Sequence, residues 1–398
     1  MLSILNELTI VSTHLNLKEY YELQYACKDI KLRKRPVMTF AAYKETIELG
    51  RTKEDLSRYL ILSRNSITKD IYAFVLHHQL GFLLQQLICQ KEGFEDLKKA
   101  LINYIRNDAE FSPELALSIV GKIPELTEMS PKDYNMILRQ AIVSGKTELF
   151  KQLLCDCRFD PSADYNIGIC QASWFDRIEI LEMLLRDYRV DPTAIDNYPI
   201  RSACSQGYLA VVQLLLKDPR IDPGADNNQA IKKAAKNGYT KVVQMLLLDS
   251  RVNPAAEQSY ALRIAACEGK EEVVKLLLND KRIDPAALDN FAIRKASKNG
   301  KFGVVQLLLQ DPRVDPTADE NYAIRNASEN GHLEVVRLLL SDKRVDPSAL
   351  NNYAIRQALH YQHGNIVQEL FKFINVDSLP KPDKNTSQQH FQLSNKLM

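Results

Sequence analysis

An Asp-Pro step returns every 31 residues along the last two-thirds of this chain, without a single insertion or deletion. It falls at Asp160-Pro161, Asp191-Pro192, Asp222-Pro223, Asn253-Pro254, Asp284-Pro285, Asp315-Pro316 and Asp346-Pro347, with asparagine once in place of aspartate. The same step aligns eight alanines from Ala141 to Ala358 and eight leucines from Leu153 to Leu370. A period of this size marks a solenoid, in which each unit buries its apolar surface only against its neighbours. Solenoids mostly bind other macromolecules, so the period already weighs on function.

The unit from Asp319 to Asp346 shows what one repeat encodes. Ile324, Ala327 and Ser328 share one helical stripe, which predicts a short helix from Tyr322 to about Asn330. Gly331 ends it, at a position where Gly145, Gly207, Gly238, Gly269 and Gly300 also stand. A second helix follows, with Val335, Val336, Leu338, Leu339 and Leu340 as its apolar face. Pro347 bars a further helix and favours an extended Asp346. Asn135, Asn166, Asn197, Asn228, Asn290, Asn321 and Asn352 are placed to cap the helix that comes next.

Two helices and a projecting loop per unit resemble the ankyrin repeat. The segment Gly331-His332-Leu333-Glu334-Val335-Val336-Arg337-Leu338-Leu339-Leu340 carries that resemblance. Two departures accompany it. Tyr322 to Arg325 replaces the family's Thr-Pro-Leu-His, with only Tyr198-Pro199-Ile200-Arg201 keeping the proline, and the unit is two residues short of the usual 33. The deficit lies in the loop and predicts curtailed β-hairpin fingers. The resemblance implies a curved array with a concave binding face, extending roughly 70–80 Å at about 8–10 Å per packed helix. The end repeats depart from the consensus, as terminal units of a stack do: Gln362 replaces the glycine in the last, which closes on Phe371, Phe373 and Val376.

The expected fold class is therefore all-α, an ankyrin-like solenoid of eight helix-pair repeats over 130–377 preceded by a helical amino-terminal domain. Residues 36–129 form that domain, with helical spacing at Leu56, Leu60 and Ile61, at Phe94, Leu97 and Leu101, and at Leu115, Ile119 and Val120. Residues 378–398 are polar and read as a disordered tail. A net charge of +2 favours neither nucleic acid nor membrane as a partner. Seven cysteines without a framework spacing predict reduced thiols in a cytoplasmic or nuclear compartment. No secretory leader begins the chain, and the apolar stretch from Ile71 to Ile88 holds two histidines and three glutamines, which suits a buried helix.

Residues 1–35 carry a second resemblance. Leu5-Asn6-Glu7-Leu8, then Val11, Leu15, Leu17, Leu23, Ala26, Cys27 and Lys28, is similar to an F-box, although the proline and the terminal Trp of that motif are absent. The resemblance implies docking on the adaptor of cullin-type ubiquitin ligases through Leu15, Leu17, Leu23 and Cys27. The alternative is an amphipathic helical hairpin in which those residues are core. An F-box-like segment ahead of such repeats also resembles proteins of amoeba-infecting bacteria and giant viruses, which implies a host-directed effector acting inside a host cell. Lys31, Arg33, Lys34 and Arg35 read as a solvated charge cluster or as a nuclear import signal.

No catalytic, cofactor-binding or metal residue is nominated. His77 and His78 are too far along one helix from Cys89 to form a nucleophile–base pair. His360 and His363 lack a third ligand, and Cys155 and Cys157 lack a redox or zinc spacing. An enzyme with its chemistry in the helical amino-terminal domain, and repeats used for targeting, is the second function class.

Two arginine ladders also repeat at 31, one through Arg139, Arg201, Lys232, Arg263, Arg294, Arg325 and Arg356, the other from Arg158 to Arg344. A feature present in nearly every unit reads as framework, so binding should reside where the units differ. Repeat two places Trp174 and Phe175 where others carry small or polar residues, and this is the chain's single Trp. Trp suits an interface anchor, the alternative being a contact with the helical domain. Repeats four and six place Lys232, Lys233, Lys236 and Arg294, Lys295, Lys298 on their first helices, with Ile264 and Cys267 between them. A basic band with an apolar middle suits an acidic, amphipathic protein segment on the concave face, and a solvated surface is the alternative.

Overall fold

The computed structural model describes Leu101 and residues 131–373, which fall into two units dividing between Ala163 and Asp164. Among the described residues there are sixteen helices and no strand. The first unit holds the pair α1 (Pro131–Ser144) and α2 (Thr147–Leu154). The second holds α3 (Ala163–Trp174, but for its first residue), α4 (Ile178–Arg186), α5 (Ala194–Gln206), α6 (Leu209–Leu216), α7 (Ala225–Asn237) and α8 (Thr240–Leu248). It continues through α9 (Ala256–Glu268), α10 (Glu271–Leu278), α11 (Ala287–Lys298) and α12 (Phe302–Leu309). Its last pairs are α13 (Ala318–Glu329) with α14 (Leu333–Leu340), and α15 (Ala349–His360) with α16 (Gly364–Phe371).

The Asp-Pro step builds the turn that opens each repeat. The Asp222 carboxylate accepts the N–H of Gly224 at 2.8 Å, and Asp191, Asp284, Asp315 and Asp346 do the same at 2.9 Å. Such an Asx turn needs only a side-chain oxygen, so Asn253 substitutes, accepting from Ala255 at 3.1 Å. Three consecutive residues then take left-handed angles, as at Ile195, Asp196 and Asn197 with φ of 54°, 55° and 56°. That compact reversal stands where a hairpin finger was expected. Regular helix resumes at Tyr198 and its equivalents. It ends at a glycine with positive φ, and at Gly207 a Cβ would lie 2.5 Å from the Tyr239 ring of the next repeat. Asp176 and Gln362 hold the same sign of φ without being glycine.

The asparagines do not cap the following helix, because each that closes a left-handed triplet turns its side-chain oxygen to the neighbouring repeat. They reach instead across to the next repeat. Asn197 Oδ1 accepts the Asp222 N–H at 2.8 Å, and Asn166, Asn290 and Asn321 take Asp191, Asp315 and Asp346 at the same distance. Ser259 replaces asparagine in repeat five and accepts from Asp284 at 2.9 Å. Each clasp satisfies a loop N–H that no helix could serve.

Apolar packing follows the period. Ile324, Ala327, Val335, Val336 and Leu339 are fully or almost fully buried, while Leu338 and Leu340 are half-buried. The alanine row (Ala203, Ala234, Ala265, Ala296, Ala327, Ala358) lies at zero exposure between successive first helices. Those small side chains let the first helices approach one another more closely than the valine- and leucine-bearing second helices do.

Candidate binding face

Both arginine ladders are consumed by the framework. In the second ladder each arginine grips the aspartate two residues before it, as Arg282 does Asp280 at 2.6 Å. The same guanidinium donates to Val252 O at 3.1 Å and Leu247 O at 3.1 Å in the preceding repeat. Arg220, Arg251 and Arg313 repeat the arrangement. Hydrogen bonding to the guanidinium holds Asp156, Asp187, Asp218, Asp249, Asp280, Asp311 and Asp342 below the usual aspartate range, against a smaller opposing effect of burial.

The first ladder secures the left-handed turns. Arg201 donates to Ile195 O at 2.9 Å and Asp196 O at 2.8 Å, and pairs with Asp226 of the next repeat at 2.7 Å. Lys232 pairs with Glu257 at 2.7 Å, and Arg294 pairs with Asp319. The guanidiniums also lie against an aromatic row that repeats with the same period. Arg263 sits 5.3 Å from the Tyr260 ring and 5.2 Å from the Phe291 ring. Arg325 lies 5.8 Å from Tyr322 and 5.2 Å from Tyr353. The rings are therefore largely covered by cations of the protein itself.

Beside this aromatic row, two further rows share the same face of the first helices, four and seven residues on. One runs Gln171, Ser202, Lys233, Ile264, Lys295, Asn326; the other runs Trp174, Ser205, Lys236, Cys267, Lys298, Glu329. The residues singled out from the sequence thus fall on neighbouring positions of packed helices. Lys233 and Lys236 on α7 and Lys298 on α11 are exposed, and among the described residues none has a carboxylate partner. Lys295 is half-buried. Its ammonium lies 5.4 Å from both the Phe291 and Tyr322 rings and 3.4 Å from the Tyr322 hydroxyl, again without a carboxylate. Ile264 and Cys267 on α9, between the lysine pairs, are half-buried.

Trp174 closes α3 and is 39% exposed, as is Phe175. The indole stacks on the Tyr198 ring at 6.5 Å and an interplanar angle of 21°, which orients it without covering it. Asp176 follows in place of glycine, and Ile178 begins α4 at the surface. The aromatic row of Tyr198, Tyr260, Phe291, Tyr322 and Tyr353 escaped the sequence reading, although its spacing of 31 or 62 residues was there to be found.

The other candidate chemistry is sparse. Among the described residues no group of three or more His, Cys, Asp or Glu is arranged to hold a metal. The described cysteines are free thiols, and burial pushes the Cys170 thiol up to about 11. No helix among the described residues is long and apolar enough to cross a membrane. Leu15, Leu17, Leu23 and Cys27 lie outside the described residues.

A family model described as ankyrin repeats (three copies) matches residues 169–256, 200–289 and 293–380. Together these stretches span more than half of the chain. No curated protein matches it.

Proposed function

The chain belongs to the ankyrin-repeat family, a family of protein-interaction modules, and from that premise we propose that it selects a protein partner along the first-helix face of repeats two to six. That is the face which the family resemblance makes concave. Trp174 and Phe175 anchor the partner at one end, Ile264 supplies an apolar middle, and Lys233, Lys236, Lys295 and Lys298 supply charge. The observation that carries this reading is a contrast between rows. Positions that pack or staple are the same in nearly every repeat, whereas these exposed or half-buried positions change from repeat to repeat, so folding does not dictate them.

The amino-terminal F-box-like segment adds a recruiting end to the proposal. With Leu15, Leu17, Leu23 and Cys27 on the ubiquitin-ligase adaptor, the repeats would act as substrate receptor, in the manner of a host-directed effector. Failure of the purified adaptor to bind the full chain would remove that half and leave the repeat half standing.

The experiment for the repeat half is affinity capture from a eukaryotic lysate with wild-type and Trp174→Ala baits, read by quantitative mass spectrometry. Truncating an interfacial Trp typically costs about 2 kcal/mol or more. A protein enriched by the wild type and depleted at least tenfold on the variant is the expected result. Equal recovery on both baits would move the binding surface elsewhere.

A further inference from the structure

We propose that the partner presents an extended segment with acidic residues six positions apart and an apolar residue midway between them. The inference rests on the reading of the first-helix face above and assigns the chemistry and register of what lies there. Its first support is charge. The protein neutralises most of its framework cations: Arg201, Lys232 and Arg294 each hold a carboxylate of the next repeat, and Arg220, Arg251, Arg282 and Arg313 each hold one of their own. Arg263, Arg325 and Arg356 are held by backbone carbonyls and ring faces. Lys233, Lys236, Lys295 and Lys298 have no carboxylate among the described residues. Lys295 is moreover half-buried between two rings, which fixes its position and deprives it of water. A partly desolvated ammonium of this kind favours an incoming carboxylate.

The second support is spacing. Packed first helices stand about 8–10 Å apart, and an extended chain advances about 3.3 Å per residue, so a segment running along the stack passes one repeat about every three residues. Lysines in repeats four and six are two steps apart and therefore meet acids six residues apart. Ile264 and Cys267 in repeat five face the residue midway. The pattern reads the same in both chain directions, so the polarity of the bound segment does not alter it. Glu329, in the same row of repeat seven, ends the cationic track.

Nucleic acid fits these features poorly. A phosphate backbone wants a continuous cationic groove, whereas here an apolar saddle separates two lysine pairs. Base stacking wants free ring faces, and Arg263, Arg294, Lys295 and Arg325 already lie against Tyr260, Phe291 and Tyr322.

The test is fluorescence anisotropy of the full chain with a panel of labelled 15-residue Gly/Ser/Gln peptides. Each carries two aspartates three, six or nine positions apart, with one leucine between them as near midway as the spacing allows. The tightest binding is expected at six. It should weaken about tenfold or more with Lys236→Glu/Lys298→Glu and fall with added salt, while the thermal melt of that variant matches wild type. Binding by none of the peptides, equal binding at all spacings, or equal competition by a 12-nucleotide oligothymidine would overturn the proposal. The lysate-captured partner separates the two failures. If it is lost with Trp174→Ala but unaffected by Lys236→Glu/Lys298→Glu, the acidic register is wrong and the face stands. If neither variant matters, the face itself is wrong.

Discussion

The arginines from Arg158 to Arg344 and the lysines of repeats four and six are both basic, both placed by the 31-residue period, and opposite in their employment. Each arginine spends its hydrogen bonds on an aspartate two residues away, and Arg220, Arg251, Arg282 and Arg313 each add two carbonyls of the preceding repeat. The lysines project from first helices whose packing is done by alanine and isoleucine on another face. Periodic charge is thus not by itself a sign of binding. What distinguishes the two rows is whether the fold has already supplied the counter-charge.

The difference can be broken most forcefully at the staples. Arg282→Ala removes the ion pair with Asp280 and leaves Val252 O and Leu247 O without their donor. A loss of about 2 kcal/mol is expected by equilibrium denaturation. A change within about 0.5 kcal/mol would show that the ladder is decorative.

Acid should act on the same row. The seven paired aspartates titrate below their ordinary value when folded, so the unfolded chain takes up protons first as pH falls. The stability they contribute is fully present well above the unfolded aspartate value, about 3.9, and is lost as pH falls through it toward the folded values. Thermal melts from pH 7 to pH 3 should therefore decline steeply near pH 4. Arg282→Ala should flatten that decline slightly, and Lys298→Ala should leave it unchanged.

The asparagine clasp gives a smaller effect. Asn290→Ala deprives the Asp315 N–H of its acceptor and should cost about 1 kcal/mol, while Asn290→Ser should recover part of it, as Ser259 does naturally. Smallest, and of opposite sign, is Ile195→Asn. A β-branched residue at φ 54° is strained, it is half-exposed, and asparagine tolerates that conformation. A gain of about 0.5–1 kcal/mol in denaturation is expected.

Helix pairs, Asp-Pro turns, closing glycines and the variable surface positions were all legible because each depends on residue type at a fixed place within one repeat. What escaped depends on contacts between repeats. Asn197 meets Asp222 from 25 residues away, and Arg263 enters between Tyr260 and Phe291 only when two repeats stack. A period shows that rows exist, not which row touches which. The capping role expected of the asparagines failed for a related reason, since three left-handed residues in succession leave no composition signature: they include Ile195, Leu288 and Leu350 as well as aspartates and asparagines. The candidate face was legible only as an exception to the period, and its chemistry became specific once the framework cations were seen to be held by carboxylates, backbone carbonyls and rings of the protein itself.

The central claim is that folding and recognition occupy separate rows, and a paired comparison tests it most directly. The captured partner is titrated by calorimetry against wild type, Lys236→Ala/Lys298→Ala and Arg251→Ala/Arg282→Ala at a temperature where all three are folded, and each protein is melted separately. The lysine variant should melt with wild type and bind at least about tenfold more weakly, while the arginine variant should melt several degrees lower and bind as wild type does. Unaltered binding by the lysine variant together with weakened binding by the arginine variant would contradict the account.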